Sequence, residues 1–412
     1  MDSLQQSIEA ATQASGKGTI SEGSRVSLLD AATKLVAALQ KPEDAITRLA
    51  YWSSKDPFNR IAQPSQFMAV RTLLNLDVYN IILQRGQVTS AELSEITKAD
   101  KILLERLLRV LTAAGYVAEP DVATYAPNAL TKTLANRGTA GLIEAIFDGG
   151  MKPMALLPAY LEKTGYKNPD DQDDGPFQFG TEMQESKNLF MYMVTENQKL
   201  LGSFQTFFEA DRGSRPNWVD WFPVKEKILD DATRPIDEES VLYVDVAGGR
   251  GHELLAFKRK FPEYPGRYVL YDLPQVVEDE TLQLGDAVEK RGFNFFQDTV
   301  LPGARLYYMK FIMHDWSDEK CLTILGNITA AMKHGYSTLV IEDFILPVKG
   351  CSLLPAMWDM EMMSFLSAME RSERQWQELL DKAGLEIEGF YTPPGDGTGI
   401  IVTRLKASDK QP

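Results

Sequence analysis

The sequence predicts an α/β chain with a mainly parallel sheet covered by helices, preceded by a helical domain. Three observations carry this. From Val241 onward short apolar runs alternate with helical patterns, as in a sheet covered on both faces. The run Val241–Val246 passes through Ala247-Gly-Gly-Arg-Gly251 into a helical segment starting at His252. Strand, glycine turn and helix in that order seat nucleotides at the carboxyl end of α/β sheets. Before residue 150, apolar residues recur instead at helical spacing.

At 412 residues the chain is long enough for two domains. A net charge of −15 argues against a nucleic-acid partner or an anionic membrane surface. No run approaches the roughly 20 apolar residues needed to span a bilayer, and the first twenty residues do not resemble a signal peptide. Two cysteines and three histidines offer no Cys/His metal cluster, so no metal is expected and a reduced, cytoplasmic protein is the default.

Residues 1–22 read as a flexible tail and 23–150 as the helical domain, with helices expected over 27–49, 66–84 and 99–114. Thr89 or Ser90 caps a helix supported by Glu92, and residues 115–125 read as a hairpin. Helix, helix, hairpin outlines a winged helix. From 61 to 137, however, eight Lys/Arg face seven Asp/Glu, too little positive charge to grip phosphates, so an interaction or dimerisation domain fits better. Residues 151–230 read as a helical connection. Its acidic run 168–175 is a solvated loop, and its Phe- and Met-rich stretch from Phe177 and Phe179 through Met193 to Phe204 is either core or the wall of a flat apolar pocket. Residues 231–412 form the sheet domain, with strands expected at 241–246, 267–272, 293–297, 305–311, 337–345 and 399–405.

Several residues could do chemistry. Gly248 and Gly249 let backbone approach a ligand closely. Asp272 ends the second strand where ribose hydroxyls are commonly bound, and Asp298 could take an adenine amine. His314, leaving the fourth strand, suits a general base near neutral pH, with Asp315 and Trp316 fixing the local chain. Glu342, inside an apolar run, and Glu370 are carboxylates that could orient the imidazole.

Four motifs carry a resemblance: Val244-Asp-Val-Ala-Gly-Gly-Arg-Gly251, Asp272-Leu-Pro-Gln-Val-Val277, Met309-Lys-Phe-Ile-Met-His-Asp-Trp-Ser-Asp-Glu319 and Glu370-Arg-Ser-Glu-Arg-Gln-Trp376. From about residue 60 the chain resembles the S-adenosylmethionine-dependent O-methyltransferases of the caffeic acid and flavonoid type, closest to fungal secondary-metabolite members. The resemblance implies a seven-stranded Rossmann-like domain behind an N-terminal all-helical, winged-helix-like dimerisation domain, hence a homodimer. It implies S-adenosylmethionine as cofactor and an aromatic or polyketide-like acceptor. Gly248, Gly249, Asp272, Leu273, Asp298, Thr299, Lys310 and Asn197 would bind the cofactor. Phe177, Phe179, Met193, Asp315, Met360 and Met363 would line the acceptor, with His314 as base beside Glu342 and Glu370. Ala247 departs from the motif's first glycine, and Thr299 from its usual apolar residue. A pericyclase or dehydratase holding S-adenosylmethionine on the same scaffold is the alternative reading.

Overall fold

In the computed structural model of this chain, residues 10, 11, 14, 21–39, 64–210, 217–230, 235–393 and 397–407 are described. Most of the expected tail, residues 40–49 of the first expected helix, and residues 394–396 before the last strand lie outside them. The chain divides into two compact units, Met1–Ala135 and Asn136–Pro412. Residues 136–150, grouped with the helical domain in the sequence reading, therefore belong to the second unit.

The first unit holds helices α1 (Glu22–Leu39), α2 (Pro64–Asn75), α3 (Val78–Arg85), α4 (Ser90–Thr97), α5 (Lys101–Ala113) and α6 (Ala129–Leu134). The helices expected over 66–84 are two, divided where Asp77 takes a left-handed backbone with φ 55°, a conformation Asp tolerates better than most residues. Thr89 forms the expected capping box with Glu92. The unit is not wholly helical. Strands β1 (Val88–Thr89), β2 (Ala118–Asp121) and β3 (Thr124–Ala126) form a small sheet in the order β1-β3-β2.

The second unit begins with helices α7 (Arg137–Glu144), α8 (Met151–Lys163), α9 (Pro176–Gly180), α10 (Leu189–Thr195), α11 (Gln198–Ala210) and α12 (Trp218–Trp221). Strand and helix then alternate through β4 (Val241–Val246), α13 (His252–Lys260), β5 (Arg267–Asp272), α14 (Pro274–Val277), β6 (Val288–Gly292), β7 (Leu306–Lys310), α15 (Asp318–Thr329) and β8 (Thr338–Asp343). Helices α16 (Leu353–Leu366) and α17 (Glu373–Lys382) precede strands β9 (Leu385–Tyr391) and β10 (Gly399–Leu405). The seven-stranded sheet runs β6-β5-β4-β7-β8-β10-β9, parallel except for β10, which is antiparallel to both neighbours.

Side chains alternate across this sheet. Val244, Tyr307, Met309, Leu339 and Ile341 bury on one face. Leu242, Leu270, Tyr308, Val340 and Val402 bury on the other. The third strand is Val288–Gly292, not the expected 293–297. Phe295 and Phe296 instead lie in the turn that follows, edge-on to Trp316 at 5.8 and 4.8 Å. Among the described residues no helix is long and apolar enough to cross a membrane.

Candidate active site

The turn after β4 is made of backbone. Ala247, Gly249 and Gly251 all have positive φ, at 55°, 55° and 70°. A Cβ on Gly248 would lie 2.3 Å from Asp245 Cγ and 2.5 Å from Leu270 Cδ1, so only glycine fits there. Gly249 faces open space on its Cβ side, where a ligand could lie against bare backbone. Its N–H donates to Asp272 Oδ2 at 2.7 Å, and the Leu273 N–H donates to Oδ1 at 2.7 Å. Burial pushes the Asp272 carboxyl up, and these two N–H bonds oppose it. Each oxygen keeps a second lone pair for a ligand hydroxyl. Leu273 is exposed beside them. Gly248, Gly249, Asp272 and Leu273 thus come together as expected.

The remaining proposed cofactor residues are placed differently. Lys310 is held by Glu253 at 2.9 Å and Glu342 at 3.4 Å, so its charge is already matched by two carboxylates. Asp298 and Thr299 are exposed, and Asp298 Oδ2 closes its own turn by accepting from the Asn294 N–H at 2.8 Å. Asn197 Oδ1 accepts from the Leu200 N–H at 3.1 Å, which caps α11.

His314 sits in a 3₁₀ turn, Met313–Asp315, just beyond β7. The backbone leaves the strand through Phe311 at φ 53°, and the Phe311 ring stacks on the imidazole at 5.2 Å. Side chains from elsewhere then pin the turn. Arg371 is buried and donates to the carbonyls of Met313 at 2.7 Å and Trp316 at 2.8 Å, and to Asp318 at 2.8 and 3.0 Å. The adjacent residue, Glu370, places Oε1 2.6 Å from His314 Nδ1. Its own N–H is held by Asp359 at 2.8 Å. Gln172, a buried polar side chain in the otherwise largely exposed acidic run, donates to the Asp315 carbonyl.

Electrostatics here favour a protonated ring. Burial pushes the His314 pKa down, but Glu370, Asp315 and Asp343 more than reverse this, leaving it at about 10. Burial, against the pull of His314, holds Asp315 at about 6 and Asp343 at about 8. With Nδ1 engaged by Glu370, Nε2 is the nitrogen left to exchange a proton, 3.3 Å from Asp315 Oδ1.

Glu342 does not flank the base as expected. It pairs in register with Lys310, accepts from the Tyr308 hydroxyl and from Thr398 Oγ1 at 2.7 Å, and so serves the opposite face of the sheet. Its neighbour Asp343 faces the His314 side, and both of its oxygens are buried without a hydrogen bond. Sequence reasoning missed Asp343. The usable signal was strand alternation, since 343 shares the face of Leu339 and Ile341.

An apolar wall adjoins this site. Phe177 and Met193 pack with Leu200, Met362 and Phe365. Trp358 borders that cluster and stacks on Phe311 at 6.3 Å, and Phe190 stacks on Trp316 at 5.8 Å. Met363 is half-buried and Met360 exposed. Phe179 instead turns outward, against Tyr160 at 5.7 Å and under Lys163.

Comparison with known proteins fits this geometry. Residues 226–386 match the model of an O-methyltransferase domain, and residues 65–137 that of an O-methyltransferase dimerisation domain. The chain is 35% identical to the O-methyltransferase asqD of Emericella nidulans, over 84% of this chain and 87% of that protein. Its fold matches the LepI complex with SAM at a TM-score of 0.84 and 26% identity, covering 98% of this chain and 100% of that one. A protein described as a pericyclic reaction enzyme matches equally well, at 0.84 and 27% identity over the same shares.

Proposed function

Because this chain belongs to the S-adenosylmethionine-dependent O-methyltransferases, we propose that it methylates a hydroxyl of an aromatic or polyketide-like metabolite, with His314 as general base. The observation that carries the assignment is the buried His314 Nδ1–Glu370 Oε1 pair at 2.6 Å, one strand away from the glycine turn. The turn fits the cofactor: bare backbone at Gly249, an exposed Leu273 and a buried Asp272 make a seat for a nucleoside. S-adenosylmethionine, when bound, supplies an electrophilic methyl group on its sulfonium.

The chain's own residues do the rest. A phenol with a pKa of about 10 is a poor nucleophile at neutral pH. Nε2 of neutral His314 takes its proton, and Glu370 holds the ring in the tautomer that leaves Nε2 bare. The carboxylates around the ring then stabilise the imidazolium. Phe177, Met193 and Met363 wall the acceptor, and orienting it against the base shortens the search for a reactive geometry. The dimerisation domain supports a homodimer.

Incubation with methyl-labelled donor and a panel of phenols tests this. Label in the product and demethylated cofactor are expected. An isomerised substrate with intact donor would replace this reading with that of a pericyclase, the activity described for one structural neighbour.

A further inference from the structure

Helix α16 carries Trp358, Glu361 and Phe365 at spacings of three and four residues, which places them along one face. Phe365 belongs to the apolar cluster with Phe177 and Met193, and Trp358 borders it. Trp358 also stacks on Phe311, which stacks on His314. Glu361 therefore lies one helical turn beyond the ring that connects this wall to the base, a step of about 5 Å along the axis.

Nothing in the fold accounts for a carboxylate at that point. Among the described residues, neither oxygen of Glu361 makes a hydrogen bond or ion pair, and Oε2 is sealed from solvent. Gly150 and Phe365 close over it: a Cβ on Gly150 would come within 3.0 Å of Oε2 and 2.9 Å of Phe365 Cζ. Burial pushes the carboxyl up to about 7, with no cation to oppose it. The indole N–H of Trp358 is likewise buried and unpartnered. A buried acid with no partner costs stability, and such local inconsistencies mark places where a fold is shaped for a ligand.

We infer that Glu361 is the specificity residue of the acceptor site, accepting a hydrogen bond from a nitrogen-bound hydrogen on the acceptor, remote from the hydroxyl that is methylated. The inference rests on the proposed function in taking the α10–α16 wall as the acceptor's. A ring N–H placed there meets the carboxylate. With the carboxyl ionised, above about pH 7, a ring oxygen at the same place meets only lone pairs and is rejected. Such charge-assisted bonds discriminate by about 10- to 100-fold.

The test uses two matched probes, 4-hydroxy-2-quinolone, which has the N–H, and 4-hydroxycoumarin, which has oxygen in its place. Both are titrated by calorimetry into the full-length protein holding S-adenosylhomocysteine, in buffer at about pH 9, where the carboxyl is ionised. The wild type is expected to bind the quinolone at least about tenfold more tightly. Glu361→Leu is expected to erase the preference while melting no lower than the wild type, and Glu361→Gln to reduce it. Equal binding of the two probes, binding of neither, or an unchanged preference in Glu361→Leu would overturn the inference. A lower melting temperature in Glu361→Leu would also overturn it, by showing that the fold uses the carboxylate. Methyl transfer is assayed separately. A preference that survives without methyl transfer would sink the proposed function and leave this inference standing.

Discussion

The glycine turn and the histidine turn leave neighbouring strands, β4 and β7, yet they are built by opposite means. The first is backbone: three positive-φ residues, and N–H groups aimed at Asp272. The second has its shape imposed from a distance, by Arg371 on its carbonyls, Glu370 on its imidazole and Gln172 on Asp315. A site that must fit a fixed cofactor needs room and N–H groups, which backbone supplies. A site that moves a proton needs a tuned charge, which only side chains supply. Substitutions should accordingly divide into those that damage binding and those that damage chemistry.

The sharpest separation comes from His314→Gln. Turnover is expected to fall by about 10²–10⁴-fold, while calorimetric binding of S-adenosylhomocysteine stays unchanged. Joint loss of both would break the comparison. Gly248→Ala is its converse. The added methyl would press on Asp245 and Leu270, and the strain of overpacking, about 1–3 kcal/mol, is expected to weaken cofactor binding by about 10- to 100-fold.

Glu370→Gln separates tuning from presence. His314 is raised to about 10 in the fold from about 6.5 in an unfolded chain. The imidazolium thus stabilises the fold fully below about pH 6.5, and that contribution is lost as pH rises through about 10. Activity needs the neutral ring, so kcat/KM in the wild type is expected to climb into the alkaline range. In Glu370→Gln the limb shifts to lower pH, because the strongest of the charges that stabilise the imidazolium is gone. A limb that stays in place would mean the titrating group is the acceptor itself.

The smallest expected effect is at Ala247, which holds φ 55° where its motif favours glycine. A left-handed non-glycine residue costs roughly 1–2 kcal/mol, and glycine's extra chain entropy, about 0.5–1 kcal/mol, offsets part of that. Ala247→Gly is expected to raise the melting temperature by about 1–2 °C, with activity retained.

Much of this was legible in the sequence. The central strands announce themselves as unbroken apolar runs because both of their faces are covered. The two strands that the sequence concealed, Val288–Gly292 and Leu385–Tyr391, are the two edges of the sheet. Half-exposed, they carry Glu289, Lys290 and Arg291 in one and Glu386 and Glu388 in the other, which reads as loop. The aromatic run after β6 looked more like a strand because it packs on Trp316. At the site, His314 and Glu370 were legible from their motifs. The choice between Glu342 and Asp343 was not, because adjacent strand residues point to opposite faces and the register with β7 settles which acid meets the imidazole.

The adjacency of Glu370 and Arg371 has one more consequence. Two consecutive peptide units deliver an anion to the ring and a cation to the carbonyls around it. Proton affinity and posture of the histidine are therefore inherited together, and evolution cannot retune one by sliding this loop without disturbing the other. A single-residue deletion just before Glu370 would offer the guanidinium where the carboxylate belongs, converting a proton acceptor's cradle into one that repels the proton.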